Sequence, residues 1–340
     1  MANAKQPAPQ AMLGLISGYW VSQLVYTVAD LGIADLVAKS PKSAEELARK
    51  TGTKATYLRR VLRALASVGV FAETANGKFR TTPLAATLRR DVPGSLRAFA
   101  RMCVDDYNWQ AWGALGHAVR TGELPFDHVH GKPLFPYLRE HPDKDETFSA
   151  SMASISSGEN PTIARAYDFG RFATLVDVGG AHGHLLATIL RRYKKLRGVL
   201  YDQPQVVAAA AKSGFLREPA IAKRCEIEGG DFFESVPEGA GGYILKYILH
   251  DWDDERALRV LQNCRAVMAP SGRVVVVEHV IPPGNGANWG KLLDINMMVV
   301  PGGQERTKKE FQDLFARAKL KLTRIVPTEN RLSILEAARA

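Results

Sequence analysis

The sequence predicts a mainly helical N-terminal part followed by a doubly wound α/β sheet, and three stretches carry that prediction. Leu175–Leu186, read LVDVGGAHGHLL, passes from a short apolar strand through two glycines into a helical pattern. From there to Val280 strands alternate with helical segments, as a doubly wound sheet requires. Upstream, Ser43–Phe71 reads as two short helices joined at Thr51-Gly52, and Phe71–Thr81 as a hairpin turning at Asn76-Gly77. That is the pattern of a helix-turn-helix with a wing. At 340 residues, 46% of them hydrophobic, the chain is long enough for two cores. The expected division is a winged-helix part over residues 1–105 and a sheet-bearing part over 106–340.

Taken in order, Met1–Gln10 is polar with two prolines and lacks the basic-then-apolar layout of a signal peptide. No run of about 18 uncharged apolar residues is found, so a membrane span is not expected. From Ala11 to Ala38 apolar residues fall on nearly every side of a helical projection, including Leu13, Ile16, Tyr19, Trp20 and Val28. A helix apolar all round must be covered on all sides. A domain of about 100 residues has little interior to do so, which predicts burial against a second copy of the chain. Ser43 and Glu46 have the spacing of a capping box. The helix that follows has Leu58, Val61, Leu62 and Leu65 on one face. Its Arg59, Arg60 and Arg63 leave open an alternative, a DNA-binding regulator whose second helix enters a major groove. Between Arg80 and Gly170 helical segments are punctuated by prolines, with Trp109, Trp112, Phe148 and Met152 among polar residues. Such residues suit a core, or a hydrophobic substrate pocket.

In the sheet-bearing part, Gly179 and Gly180 permit a tight turn and close approach to the main chain, and the helix beyond supplies free amide donors. A dinucleotide loop needs G-x-G-x-x-G, but Ala181 and His184 occupy the second and third glycine places. A nicotinamide or flavin is therefore disfavoured. Later strands are expected at Gly198–Asp202, Cys225–Ile227, Gly242–Leu249 and Arg273–Val280. Ligands of such sheets lie beyond the carboxyl ends of the strands, and Asp202, Asp231, His250 and Glu278 all fall there. Asp202 stands where an acid commonly accepts hydrogen bonds from ribose hydroxyls. The net charge of +10 allows a nucleic acid or an anionic small molecule as partner. Three widely spaced cysteines have no metal-ligand spacing, so a reducing cytoplasm and no metal are expected.

These segments, in order LVDVGGAHGHL, YDQPQVV, GGDFF, YILKYILHDWDDE, NCRAVMAPSGRVVVVEHV, LLDINMMVV and GGQERTKKEF, resemble one family. It is the S-adenosylmethionine-dependent O-methyltransferases with an N-terminal winged-helix dimerisation domain, of plant caffeate and flavonoid type and of bacterial phenazine, anthracycline and carotenoid pathways. The resemblance implies a Rossmann-like class I methyltransferase domain, a homodimer, S-adenosyl-L-methionine as cofactor, and a small aromatic acceptor. It implies cofactor contacts from Asp177, Gly179, Asp202, Asp231, Phe232 and Lys246, the last at the methionyl end. It makes His250 the general base, flanked by Glu278 and Glu305. The acceptor pocket is then expected from Trp109, Phe148, Met152, Trp252, Asn296 and Met297. The chemistry agrees, since a phenol of pKa about 10 is mostly protonated at neutral pH and a histidine near 6.5 accepts its proton. No metal is needed. Transfer to nitrogen or carbon stays open. Ala181 replaces a glycine usual in such loops, at modest cost if its φ is negative.

Overall fold

The computed structural model describes residues 7–212, 214 and 216–340. The chain forms two compact units, one running to Gly113 together with Phe135–Ser157, the other comprising Ala114–Leu134 and Gly158–Ala340.

In the first unit the Ser43 hydroxyl accepts from the Glu46 amide at 3.2 Å, and the Glu46 carboxylate accepts from the Ser43 amide at 2.6 Å. This reciprocal cap starts the helix Ala44–Thr51. The next helix, Ala55–Ser67, buries Leu58, Leu62 and Leu65 against Ile33, Leu47, Phe71 and Phe79. Phe71–Glu73 and Phe79–Thr81 pair antiparallel as the wing, and Arg59 reaches across to Glu73 at 3.2 Å. The N-terminal apolar stretch is two helices, Ala8–Ile16 and Gly18–Asp30. No residue of the first is buried, and Leu13, Leu15, Ile16 and Trp20 are each at least 60% exposed. Contrary to the sequence expectation, Ala8–Asp30 is long and apolar enough, by length and composition, to cross a membrane.

The second unit is built on seven strands: β1 (Thr174–Val178), β2 (Arg197–Asp202), β3 (Cys225–Gly229), β4 (Gly242–Lys246), β5 (Arg273–Glu278), β6 (Leu320–Pro327) and β7 (Ser333–Arg339). Their order is β6-β7-β5-β4-β1-β2-β3. β1 to β5 are parallel, and β7 pairs antiparallel with both β5 and β6. Side chains alternate across the sheet. Val176, Val178, Leu245, Val274 and Val276 pack on one face with the helices Asp254–Val267 and Lys308–Arg317. Leu175, Ile244, Val275 and Val277 pack on the other with Ile163, Leu186, Ile189 and Leu190. The parallel strands are thus covered on both faces, which is why they read as continuous apolar runs. β6 and β7 were not foreseen in the sequence.

Two local expectations are corrected. The fourth strand ends at Lys246 rather than Leu249, because Tyr247 takes φ +56° and the chain then makes a single 3-10 turn over Leu249–Asp251. Ala181 has φ +49°, not a negative value. A left-handed L-residue costs about 1–2 kcal/mol, and glycine would relieve that while adding unfolded-state entropy. Ala181→Gly is therefore expected to stabilise the protein by about 0.5–1 kcal/mol. Thermal unfolding checks it, and an unchanged or lower midpoint refutes it.

Candidate active site

The glycine loop is held to the sheet by the Gly179 amide, which donates to the Tyr201 carbonyl at 2.8 Å. A Cβ on Gly180 would lie 2.5 Å from Leu200 Cδ1 and 2.7 Å from Asp177 Cγ, so the loop packs on the sheet only because that side chain is absent. Asp177, at the end of β1, is buried, and its Oδ2 has no hydrogen-bond partner among the described residues. Burial, with the neighbouring Asp202 carboxylate, pushes its carboxyl up to about 7. Asp202, at the end of β2, accepts from the Ala181 amide at 2.8 Å and from the Gln203 amide at 2.7 Å. Asp231 accepts from the Phe233 amide at 2.8 Å, and the Phe232 ring meets Phe233 and Trp252 edge to face.

Lys246, at the end of β4, has its Nζ 2.9 Å from Glu159 Oε2, with both side chains largely buried. Burial lowers the pKa of Lys246, against the pull of Glu159 and Asp177. Glu159 was not singled out in the sequence; it stands 87 residues earlier, on the helix Pro142–Ala166.

His250 sits in the 3-10 turn after β4, only 7% exposed. Its Nδ1–H donates to Glu305 Oε1 at 2.7 Å, and its Nε2 lies 3.5 Å from Asp251 Oδ1. A carboxylate only accepts, so the neutral ring carries its proton on Nδ1 and leaves the Nε2 lone pair available. Glu278 does not meet the imidazole. Its Oε1 accepts from the Leu249 and His250 amides, at 2.7 and 3.2 Å, and so shapes the turn. Burial raises Glu278 to about 7 and Asp251 to about 6. For His250 burial works the other way, against the imidazolium, yet Asp251, Glu305 and Glu278 outweigh it and lift the ring to about 9. The sequence reading of a histidine near 6.5 is corrected accordingly.

Glu305 reaches the imidazole because its loop is clamped to the turn. The Gln304 amide donates to the His250 carbonyl at 2.9 Å, and the Glu305 amide to Asp294 Oδ1 at 2.9 Å. Arg306, 1% exposed, donates to the carbonyls of Leu249 and Trp252 and to Asp254. Gly303 lies so close that a Cβ there would stand 1.9 Å from the His250 carbonyl oxygen. Gly303→Ala is thus expected to push the loop off the turn and lower kcat/KM about 100-fold, since an ångström of misplacement has that effect. Unchanged kinetics in a folded variant would contradict this. The signal for Gly303 and Arg306 was present in GGQERT, but their part is visible only once the loop is docked.

Of the residues expected to line an acceptor pocket, Trp109, Phe148 and Met152 belong to the first unit, where Trp109 is 40% exposed and Phe148 meets Phe135 edge to face. Trp252, Asn296 and Met297 belong to the second, where Met297 is buried and Trp252 packs on Phe233. Among the described residues one group of metal-type donors stands apart, His117, Glu123 and His128. Their ligand atoms lie within 4.8 Å of one another, the two imidazoles stack with centroids 3.8 Å apart, and His117 Nε2 lies 2.7 Å from Glu123 Oε2.

A family model for the O-methyltransferase domain matches residues 112–321, and one for the O-methyltransferase dimerisation domain matches residues 13–91. The chain belongs to the O-methyltransferase family. This methyltransferase is 46% identical to the phenazine O-methyltransferase PhzM of Lysobacter antibioticus, over 97% of this chain and 96% of that one. The crystal structure of LaPhzM, also 46% identical, matches with a TM-score of 0.92 over 98% of this chain and all of that one. CalO1, a methyltransferase of calicheamicin biosynthesis solved with SAH bound, is 36% identical, with a TM-score of 0.88 over 99% of this chain and all of that one. The cofactor of this enzyme is S-adenosylmethionine. The residues present are compatible with it: the Asp202 carboxylate retains lone pairs that ribose hydroxyls could use, Phe232 offers an aromatic face, and Asp177 leaves a buried oxygen without a partner among the described residues.

Proposed function

We propose that this O-methyltransferase methylates a phenolic hydroxyl of a small fused aromatic molecule, with His250 as the general base. The observation that carries the reading is the His250–Glu305 contact of 2.7 Å, which fixes the tautomer with Nε2 as proton acceptor. The similarity to a phenazine O-methyltransferase supports a hydroxylated, nitrogen-containing polycycle as the first acceptor class to test. We place the cofactor against Gly179, Asp177, Asp202, Asp231, Phe232 and Lys246. When bound it supplies an electrophilic methyl on a sulfonium.

The geometry supports the following division of roles. His250 Nε2 takes the phenol proton as the oxygen gains negative charge, and Glu305 at Nδ1, with Asp251 beside Nε2, stabilises the imidazolium. Glu278 holds the turn through two amides, so the ring stays aimed. We assign residues 1–105 to dimerisation and 106–340 to catalysis. The exposed apolar surface of Ala8–Asp30 would be covered by a second copy, which supports a homodimer. Three unpaired cysteines support a cytoplasmic enzyme, and we assign it neither a membrane nor a nucleic-acid partner.

The test is transfer of labelled methyl from S-adenosylmethionine to hydroxyphenazines, simple phenols and matched aromatic amines. Methylation of a hydroxylated polycycle at least tenfold more efficient than of the amines is expected. Efficient labelling of amines alone would overturn the oxygen-acceptor reading.

A further inference from the structure

A tyrosine in the left-handed region is strained, and such strain persists only where the surroundings over-determine it. Tyr247, at φ +56°, is held from several sides. Its amide donates to the Val277 carbonyl at 3.2 Å, and its hydroxyl donates to Glu159 Oε1 at 2.9 Å and lies 3.4 Å from His279 Nε2. Its ring stacks on the His250 imidazole, with centroids 4.9 Å apart and planes 25° from parallel. The other oxygen of Glu159 meets Lys246, whose Nζ is also 4.9 Å from the Tyr247 centroid. One buried carboxylate therefore ties together the lysine at the end of β4 and the aromatic ring that covers the base.

We propose that Tyr247 is a positioning residue for the base: its ring, tethered through its hydroxyl to Glu159, fixes the imidazole plane of His250 and favours the imidazolium formed in turnover. This rests on the reading of His250 as base. The physical reason is that the face of an aromatic ring attracts a cation, so the stacked ring lowers the free energy of the charged histidine relative to the neutral one. The tether keeps the ring in register as the charge appears. The other groups facing His250 are Asp251 on its own turn, Glu305 from the docked loop, Glu278 at the end of β5 and, more distantly, His279. Asp294 and Arg306 act one step back, on Glu305 and Glu278. A change at Tyr247 leaves Asp251, Glu305 and Glu278 in place and, of these groups, touches only His279, which lies 3.4 Å from its hydroxyl, so its contribution is separable from that of the carboxylates.

The experiment titrates His250 by NMR, with its resonance assigned by the His250→Gln difference, alongside kcat and KM for the full-length enzyme. Tyr247→Leu fills most of the volume without a π face. It is expected to move the His250 midpoint to lower pH by about half a unit and to lower kcat about tenfold, with KM for S-adenosylmethionine within about twofold. Tyr247→Phe keeps the ring but loses the tether, and should lose about threefold in kcat with the midpoint unmoved. A leucine variant whose midpoint stays at the parent value overturns the proposal, as does a phenylalanine variant with parent kcat. A purely structural tyrosine would lower the melting temperature and leave the midpoint in place. If Tyr247→Leu does not fold, the phenylalanine result alone decides. Normal turnover by His250→Gln would remove the base assignment, while the midpoint in the tyrosine variants would still report on the stacking.

Discussion

His250→Ala is expected to lower kcat by roughly 10²–10⁴-fold, the range for losing a positioned general base. Binding of the cofactor product, measured by calorimetry, should stay within about twofold, because the groups proposed for the cofactor, Asp177, Gly179, Asp202, Asp231, Phe232 and Lys246, do not include His250. The loss should depend on the acceptor. A phenol of pKa near 10 needs its proton removed, whereas one with a pKa near 7 is already half ionised at neutral pH. Across a series of ring-substituted acceptors the ratio of parent to variant kcat should therefore shrink as the phenol becomes more acidic. A ratio that stays constant across that series, in a variant with a native circular dichroism spectrum, would sink the assignment of His250 as base. Removing the imidazole also leaves Glu305 without its ring partner beside Asp251 and Glu278. Some fall in stability accompanies the substitution, and His250→Gln serves as the better-filled control.

The parts of this site that were legible in the sequence are those written in local patterns. Glycines fix the turn at Gly179, one strand ends at Asp202 and Asp231 and His250 follow shortly after two others, and Ser43 with Glu46 announces a helix start, because each depends on residues a few positions apart. What was not legible depends on pairing across the fold. Glu159 meets Lys246 and Tyr247 from a helix far upstream, and no spacing rule links positions 159 and 246. Glu278 was expected to flank the histidine, but whether its oxygen meets ring or backbone is decided by the 3-10 turn that follows the strand's end at Lys246, and it meets the Leu249 and His250 amides. The histidine's pKa likewise required knowing how many carboxylates converge on it and how little water reaches them. A sequence reading supplies the imidazole's ordinary value, and only the packed cluster moves it to about 9. The N-terminal helices show the reverse case. Their all-round apolarity was plain, yet no residue of the first of them is buried within the single chain.

The pH profile of Glu305→Gln joins these threads. In the parent enzyme His250 titrates near 9, and only the neutral ring accepts a proton. The kcat/KM of the parent should therefore rise with pH through neutrality and level off above about pH 9. The raised pKa comes from carboxylates that favour the imidazolium against burial, and Glu305, in direct contact with Nδ1, is among them. Glutamine keeps an acceptor at the same place but removes the charge. Two effects follow with opposite consequences. The imidazolium that forms during turnover loses its partner, so the alkaline plateau of kcat should fall about 100-fold. The resting ring is neutralised more easily, so the ascending limb should move to lower pH. The deficit of the variant should thus be widest on the alkaline plateau and narrow steadily toward pH 6, where the parent is mostly protonated. A deficit constant across pH, with the limb in the parent position, would mean that Glu305 only packs against the ring. A plateau equal to that of the parent with a shifted limb would mean that its charge sets the resting protonation and does not assist the transfer.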